Sequence, residues 1–272
     1  RCSKDSLPQQ TLMEIVIQDI SNKERICGSV EEPNDISEWM GVKLDSSGEV
    51  SEIDWKYQDL AGSVSHCWLP ATVRRFYANN NKLSGTIDLT SLPERMTHLV
   101  MFSNRLSGEI ALTSLPDAME LLSIPMNNLS GTLNLEYLPK VFQELYVYDN
   151  SFCGSVNLTK LPASMKKLYL CNNKFKGSAD LTDLPPHLES LSLSNNLFSG
   201  PLDLKSLPKP LNLLWLHHNT FCGETDFSKV PKRLKTINVM DNPDLCGTMY
   251  VKRGQNYYCR DTKIKLVKEQ SE

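Results

Sequence analysis

His217, His218 and Cys222 lie close together in the chain and are of the donor types that hold a metal ion between imidazole nitrogens and a thiolate. Nothing else in the sequence joins them. There is no HExxH, no CxxC, no GxGxxG and no GxxxxGK[ST], so no hydrolytic, redox or phosphate-cradling constellation stands out, and no catalytic residue, cofactor or metal is expected. The remaining side chains with chemistry to offer are Arg75, Tyr77, Phe102, Tyr146, Tyr148, Tyr169, Trp215 and His217. Rings and guanidinium groups dominate the energetic centres of protein interfaces, so these residues are the candidate partner-binding set. His98 and His187 read as ordinary surface residues.

What positions these groups is a repeat. A Leu-Pro or Val-Pro step returns every 23 residues, at Pro70, Pro93, Pro116, Pro139, Pro162, Pro185, Pro208 and Pro231, without insertion or deletion. Between the prolines the columns are uniform in type. Phe76, Leu99, Leu122, Leu145, Leu168, Leu191, Leu214 and Ile237 form one apolar column, and Ala78, Met101, Ile124, Val147, Leu170, Leu193, Leu216 and Val239 form another two residues on. A spacing of two puts both on one face of a strand. Three residues further stands Asn81, then Asn104, Asn127, Asn150, Asn173, Asn196, Asn219 and Asn242. An amide side chain both donates and accepts, so this stacked column can satisfy the backbone where each coil bends out of reach of water. Glycines at 85, 108, 131, 154, 177, 200 and 223 allow a turn that a Cβ would obstruct.

No single 23-residue unit buries its apolar side alone, but stacked units share one core. The Leu-x-Leu-x-x-Asn step, inside a period of about 20–29 residues, resembles the leucine-rich repeat. The likeness runs from about Trp39 to Cys259, and its Leu-Ser-Gly-x-Ile-x-Leu-Thr-x-Leu-Pro wording is similar to plant-type and kinetoplastid arrays. The expected fold is a β-rich solenoid, a curved array with a parallel β-sheet on its concave face and an N-terminal helical cap. On the convex side the pairs Ile87/Leu89 and Ile110/Leu112 predict a short second strand, with 3₁₀ turns at the Leu-Pro steps and almost no α-helix beyond residue 25.

The expected boundaries are residues 1–45 for an N-terminal segment and cap, 46–252 for about nine coils, and 253–272 for a C-terminal cap and charged tail. Leu12, Ile15, Val16 and Ile20 predict a helix over Gln9 to Asn22, while Met13, Ile15 and Ile17 also permit a strand; Lys23 to Ser37 is polar and is expected to loop out. Trp39-Met40-Gly41-Val42 resembles the Trp-x-Gly-Val-x-Cys cap of plant-type arrays, with Leu44 where that cap has cysteine. Asn242-Pro243-Asp244-Leu245-Cys246-Gly247 resembles their closing motif, which implies a Cys246–Cys259 pair. Beyond Asp261 the tail is expected to be mobile or partner-bound.

Composition limits the possible functions. At 272 residues, 40 % hydrophobic and with net charge −3 and pI near 6.0, the chain is soluble and globular and does not read as a nucleic-acid or membrane-surface binder, and no apolar run is long enough to span a bilayer. Arg1 in place of methionine marks a processed or truncated product. The eight cysteines are Cys2, Cys27, Cys67, Cys153, Cys171, Cys222, Cys246 and Cys259. Cys222 and Cys246 share a column of adjacent coils, within expected disulfide reach, which competes with the Cys246–Cys259 pairing; Cys153 and Cys171 have no evident partner. Unpaired thiols suit a reducing compartment, while the sequons Asn128-Leu129-Ser130 and Asn157-Leu158-Thr159 suit a secreted one, and the balance leans to an intracellular or organellar protein.

With no catalytic set, the outward positions of the sheet are where function is expected. His217, His218 and Cys222 fall at variable positions at a coil edge and read as surface residues before they read as ligands. The aromatic stripe of Tyr77, Phe102, Tyr146, Tyr148, Tyr169 and Trp215 reads as a face for a protein partner, as a subunit or scaffold of an assembly, with laddering between neighbouring coils as the plainer reading. A secreted or cell-surface recognition domain for a peptide or glycan is the alternative. Ser190, Ser192 and Ser194 interrupt the stripe as a gap or polar pocket.

Overall fold

The computed structural model describes residues 4–251 and 254–268, so Cys2 and the end of the charged tail, residues 269–272, lie outside the described residues. The chain divides into two compact units, residues 1–130 and 131–272.

In the first unit a helix spans Gln9–Ile17 and buries Leu12, Met13, Val16 and Ile17. Pro8 precedes it, where a missing N–H is no loss and the fixed φ suits helix entry. The buried stripe therefore includes Met13 and Ile17, and the expected Ile15 is only half-buried. The helix stops at Ile17, five residues short of the expected Asn22, and Asn22 has another role. Its Nδ2 donates to the Asp59 carbonyl at 3.0 Å and its Oδ1 accepts from the Ala61 N–H at 3.0 Å, which pins the N-terminal segment to the first coil. Gly62 completes that junction at φ +97°, and a Cβ there would lie 2.1 Å from the Asp19 carbonyl oxygen, so only glycine fits.

The expectation that Lys23 to Ser37 loops out is corrected. A short helix at Glu24–Cys27 buries Ile26 and Cys27, Ile36 is buried as well, and the Trp39 indole donates to the Asn34 carbonyl at 2.8 Å. A few apolar anchors are enough to fold a polar stretch down, because each fully buried one is worth about 1.5–3 kcal/mol. Beyond Cys27 there is no α-helix among the described residues.

Val42–Leu44 and Val50–Asp54 form an antiparallel hairpin, and from there pairing turns parallel. Each coil sends its strand in the same direction, and one repeat equals one turn, so identical columns meet in register. Ile53 pairs with Phe76, Phe76 with Leu99 and Leu99 with Leu122 in the first unit. In the second, Leu145 pairs with Leu168, then Leu191, Leu214 and Ile237 follow in turn. All of these side chains are buried, as is the stack of Phe152, Phe175, Phe198 and Phe221, whose ring centroids are 6.2–6.4 Å apart.

Each unit carries a second sheet, but not where the Ile87/Leu89 pairs predict it. Its strands run through the preceding Leu-Ser-Gly step, at Lys82–Gly85 and Arg105–Glu109 in the first unit and at Lys174–Ser178 and Leu197–Gly200 in the second. Ile87 and Leu89 do point inward, from an extended step that closes as a 3₁₀ turn at Leu89–Ser91. The glycines of the column sit at φ of +81° to +89°, and at Gly85, Gly177, Gly200 and Gly223 an added Cβ would meet nothing closer than 3.3 Å. Backbone conformation, rather than crowding, demands glycine there. This back sheet also slips: Gly177 faces Phe198 and Gly200 faces Phe221, two positions short of the repeat.

The tail is corrected too. Lys263–Lys268 is a strand paired in parallel with Asp244–Val251, Cys246 opposite Lys263 through Val251 opposite Lys268. Ile264 and Leu266 alternate with lysines, and that period of two outweighs the charge.

Candidate binding surface

The asparagine column holds the bends. Asn219 is typical: its Oδ1 accepts the Phe198 N–H at 2.9 Å and its Nδ2 donates to the carbonyls of Leu193 and Leu216 at 3.0 and 3.1 Å, so one amide ties two coils together. Asn173, Asn196 and Asn242 repeat this in the second unit, and Asn81, Asn104 and Asn127 in the first. Asn150 donates to Val147 and Tyr148 at 3.1 and 3.2 Å. The residue before each asparagine adopts a left-handed conformation: Asn80, Ser103, Met126, Asp149, Asn172, Asn195, His218 and Asp241 all have φ between +52° and +57°. The sequence signal for this was present, since five of the eight are Asn or Asp, the residues that tolerate that region best.

The outward columns of the front strands carry the candidate contact residues. In the first unit Arg75 is exposed and points its Nε at Glu52, 3.5 Å from Oε2, and the Lys56 ammonium stands 4.8 Å over the Tyr77 ring. Phe102 is half-buried on the same face. Arg75 and Tyr77 are thus partly engaged within the molecule.

In the second unit Tyr169 sits between Tyr146 and Tyr148, with ring centroids 5.2 and 6.5 Å away. The Tyr146 hydroxyl donates to Glu144 Oε2 at 2.7 Å, and Lys167 pairs with the other oxygen of that carboxylate at 3.1 Å. Burial, reinforced by the adjacent carboxylate, pushes the Tyr146 phenol far up, and burial raises Tyr148 as well, so both remain neutral donors. The next coil presents Ser190, Ser192 and Ser194, all buried although they point outward. Ser192 lies in register between Tyr169 and Trp215, and its Oγ is 3.3 Å from the Ser194 Oγ. Burial raises the Cys171 thiol, opposed in part by a hydrogen bond with Ser192, which leaves it a protonated, unreactive group.

Beyond the serines Trp215 packs edge-on to His217 at 6.2 Å, and His217 to His218 at 5.3 Å. His218 reaches Asp241 at 3.3 Å. Burial, and then the neighbouring His218, hold His217 below the ordinary imidazole range, and its buried Nδ1 has no hydrogen-bond partner. A pocket of ≈ 530 Å³ opens here. Cys171, Asn172, Ser194 and Asn195 form one side of it, Trp215 and His217 the middle, and Thr236, Asn238 and Tyr258 the other side. The serine run and Tyr258 are what the aromatic-stripe reading undervalued, since small buried serines between rings are a sign of a pocket.

His217 and Cys222 do not converge on a metal: Cys222 belongs to the back strand Thr220–Asp226, and no group of three or more metal-ligating side chains forms among the described residues. The seven described cysteines are free thiols. The slip of the back sheet takes Cys222 and Cys246 out of the expected direct register, while the two thiols still act on each other. Cys222 faces Asp244, Cys246 faces Glu224, and the Cys246 thiol donates to Glu224 Oε2 at 3.3 Å. No helix among the described residues is long and apolar enough to cross a membrane.

Stacked parallel coils with an asparagine column and short 3₁₀ turns define a β-solenoid. It is the leucine-rich repeat fold. No family model matches the sequence, and no curated protein does. Among solved structures the chain is similar to the ectodomain of the Arabidopsis thaliana membrane receptor kinase GASSHO1/SCHENGEN3 in complex with CASPARIAN STRIP INTEGRITY FACTOR 2, at 20 % identity and TM-score 0.64, over 94 % of this chain and 36 % of that one. It is similar to the Arabidopsis HAESA ectodomain in complex with an IDA peptide hormone, at 18 % identity and TM-score 0.62, over 96 % of this chain and 49 % of that one. A plant ice-binding protein matches at 17 % identity and TM-score 0.57, over 98 % and 96 % of the two chains. The chain therefore spans between about a third and half of the two receptor ectodomains, and at these identities the likeness is one of fold.

Proposed function

We propose that this chain is a non-enzymatic protein-binding module that docks a protein or peptide through the outward face of its front strands, as a subunit or docking module of a larger assembly. The observation that carries this reading is the cluster of Tyr146, Tyr148 and Tyr169, three rings gathered on a solvent-facing sheet surface where an unpartnered protein would place polar groups. Trp215 and His217 extend the contact in the same unit, and Arg75, Tyr77 and Phe102 offer a smaller patch in the first. Two of the fold's solved relatives are held in complex with a peptide or a named factor, which supports a binding role over an enzymatic one.

A secreted or cell-surface recognition domain is the second reading, favoured by the same relatives and by the exposed Asn157, whose Oδ1 accepts from both the N–H and the hydroxyl of Thr159 within its sequon. One experiment separates the two. Native tagged chain is sedimented from a gentle cell extract beside the culture medium, with the Tyr146→Ser/Tyr148→Ser/Tyr169→Ser variant run in parallel. Sedimentation far above 30.8 kDa that the variant loses at an unchanged melting temperature supports the assembly reading. A small species in the medium overturns it in favour of the secreted one.

A further inference from the structure

We propose that the pocket between Ser194, Trp215 and Tyr258 in the second unit binds an uncharged saccharide. This goes beyond the protein-docking reading and does not rest on the tyrosine cluster.

A sugar ring offers an apolar C–H face and a rim of hydroxyls that donate and accept at once. It therefore calls for an aromatic plate together with amides and hydroxyls. The pocket supplies that combination: the rings of Trp215 and Tyr258, the amides of Asn195 and Asn238, and the hydroxyls of Ser194 and Thr236. Asn238 accepts from the Met240 N–H at 3.1 Å, which orients its NH₂ as the free donor end. The volume of ≈ 530 Å³ lies in the usual range for a small-molecule site.

The charge balance excludes the competing ligands. No Lys, Arg, Asp or Glu lines the pocket, so an anion or a cation would give up water without gaining a counter-charge. Outside the lining, Asp241 meets His218 at 3.3 Å and Arg260 at 3.8 Å, and Arg260 meets Asp261 at 3.0 Å. An aliphatic peptide anchor favours a wall of branched apolar side chains, and none is present here.

The test uses the full chain on an array of neutral, sialylated and sulfated oligosaccharides beside a peptide array, followed by titration of the retained sugar against tryptophan fluorescence. Neutral oligosaccharides are expected to be retained and the charged ones not. Trp215→Ala should weaken binding by about tenfold or more, and Trp215→Phe by less than about threefold. Leu197→Ser, on the exposed back strand, should change nothing. Asn238→Ala carries the same test if Trp215→Ala fails to fold. Retention of no neutral sugar, a preference for charged ones, or undiminished affinity in both Trp215→Ala and Asn238→Ala would overturn the proposal. So would retention of peptides alone, with loss in Trp215→Ala, since that assigns the pocket to the protein partner. Failure of the tyrosine variant to affect sedimentation bears only on the docking reading.

Discussion

Tyr169 stands in direct register with Ser192, and Ser192 has no solvent-accessible surface although its side chain points away from the core. A serine on the open face of a sheet would ordinarily be wet. Here Tyr169 and Trp215 stand in register on either side of it, so the three buried outward serines read as the floor of a structure and not a gap in one. Ser192→Tyr, which would continue the aromatic column, must displace those rings. Overpacking of that kind costs about 1–3 kcal/mol. Thermal melting is expected to show the loss together with a shifted Trp215 emission, and an unchanged melting temperature would mean the serine floor is not closed.

Asn219 lies one turn from that floor and satisfies backbone groups of two coils. Asn219→Ala strands the Phe198 N–H, at about 1–3 kcal/mol, while the carbonyls of Leu193 and Leu216 keep the Nδ2 groups of Asn196 and Asn242. The variant should lose about 1–3 kcal/mol in urea unfolding. Lys209→Ala, an exposed residue of the same unit outside the left-handed column, serves as the comparison and should cost well under half as much. Equal losses from the two would show that the asparagine column is not what holds the bends.

Met126 occupies the left-handed column at φ +55°, where Asn or Asp stands in five coils. Its side chain is largely exposed, so little packing opposes a change. For a residue without a short polar side chain the left-handed region costs about 1–2 kcal/mol. Met126→Asn is therefore expected to stabilise the fold by about 1 kcal/mol, seen as a rise of a few degrees in melting temperature. A fall would mean that the methionine makes a contact worth more than the strain.

The columns were legible because they are translational: a repeat of 23 residues places each column by counting, and Phe76, Leu99 and Leu122 meet as the count requires. The front sheet and the asparagine positions were readable on that basis, and the N-terminal helix on the separate helical spacing of Leu12 and Val16. What counting missed is whatever departs from translation. The back strands slip by two positions, which takes Cys222 and Cys246 out of direct register, and Lys263–Lys268 adds a strand after the last repeat proline, Pro231, has passed. Ile26 and Trp39 anchor a segment that no periodicity marks. The candidate surface was readable only in part. Tyr146, Tyr148 and Tyr169 stand out by residue type, but the pocket beside them depends on how far Tyr169 and Trp215 lean over the serines, and side-chain tilt has no sequence period.

His66 makes the first unit sensitive to acid. It is buried against Phe76, with Nε2 3.4 Å from the Met101 sulfur, and burial lowers its pKa to about 4 from the usual imidazole value, slightly opposed by Asp88. Above about pH 6.5 the ring is neutral in both the folded and unfolded chain and has no effect on pH dependence. As pH falls from about 6.5 towards about 4 the unfolded chain binds a proton that the folded chain refuses, so stability declines by up to about 3 kcal/mol and levels off below that window. Carboxylates titrate over part of the same range, so the informative quantity is the difference from His66→Phe. That variant should be less stable or equal near neutrality yet lose distinctly less between about pH 6.5 and about pH 4.5. Parallel curves for the two proteins would show that His66 takes up its proton in the folded state, and that the cavity around it is more accessible to water than its burial against Phe76 and Met101 implies.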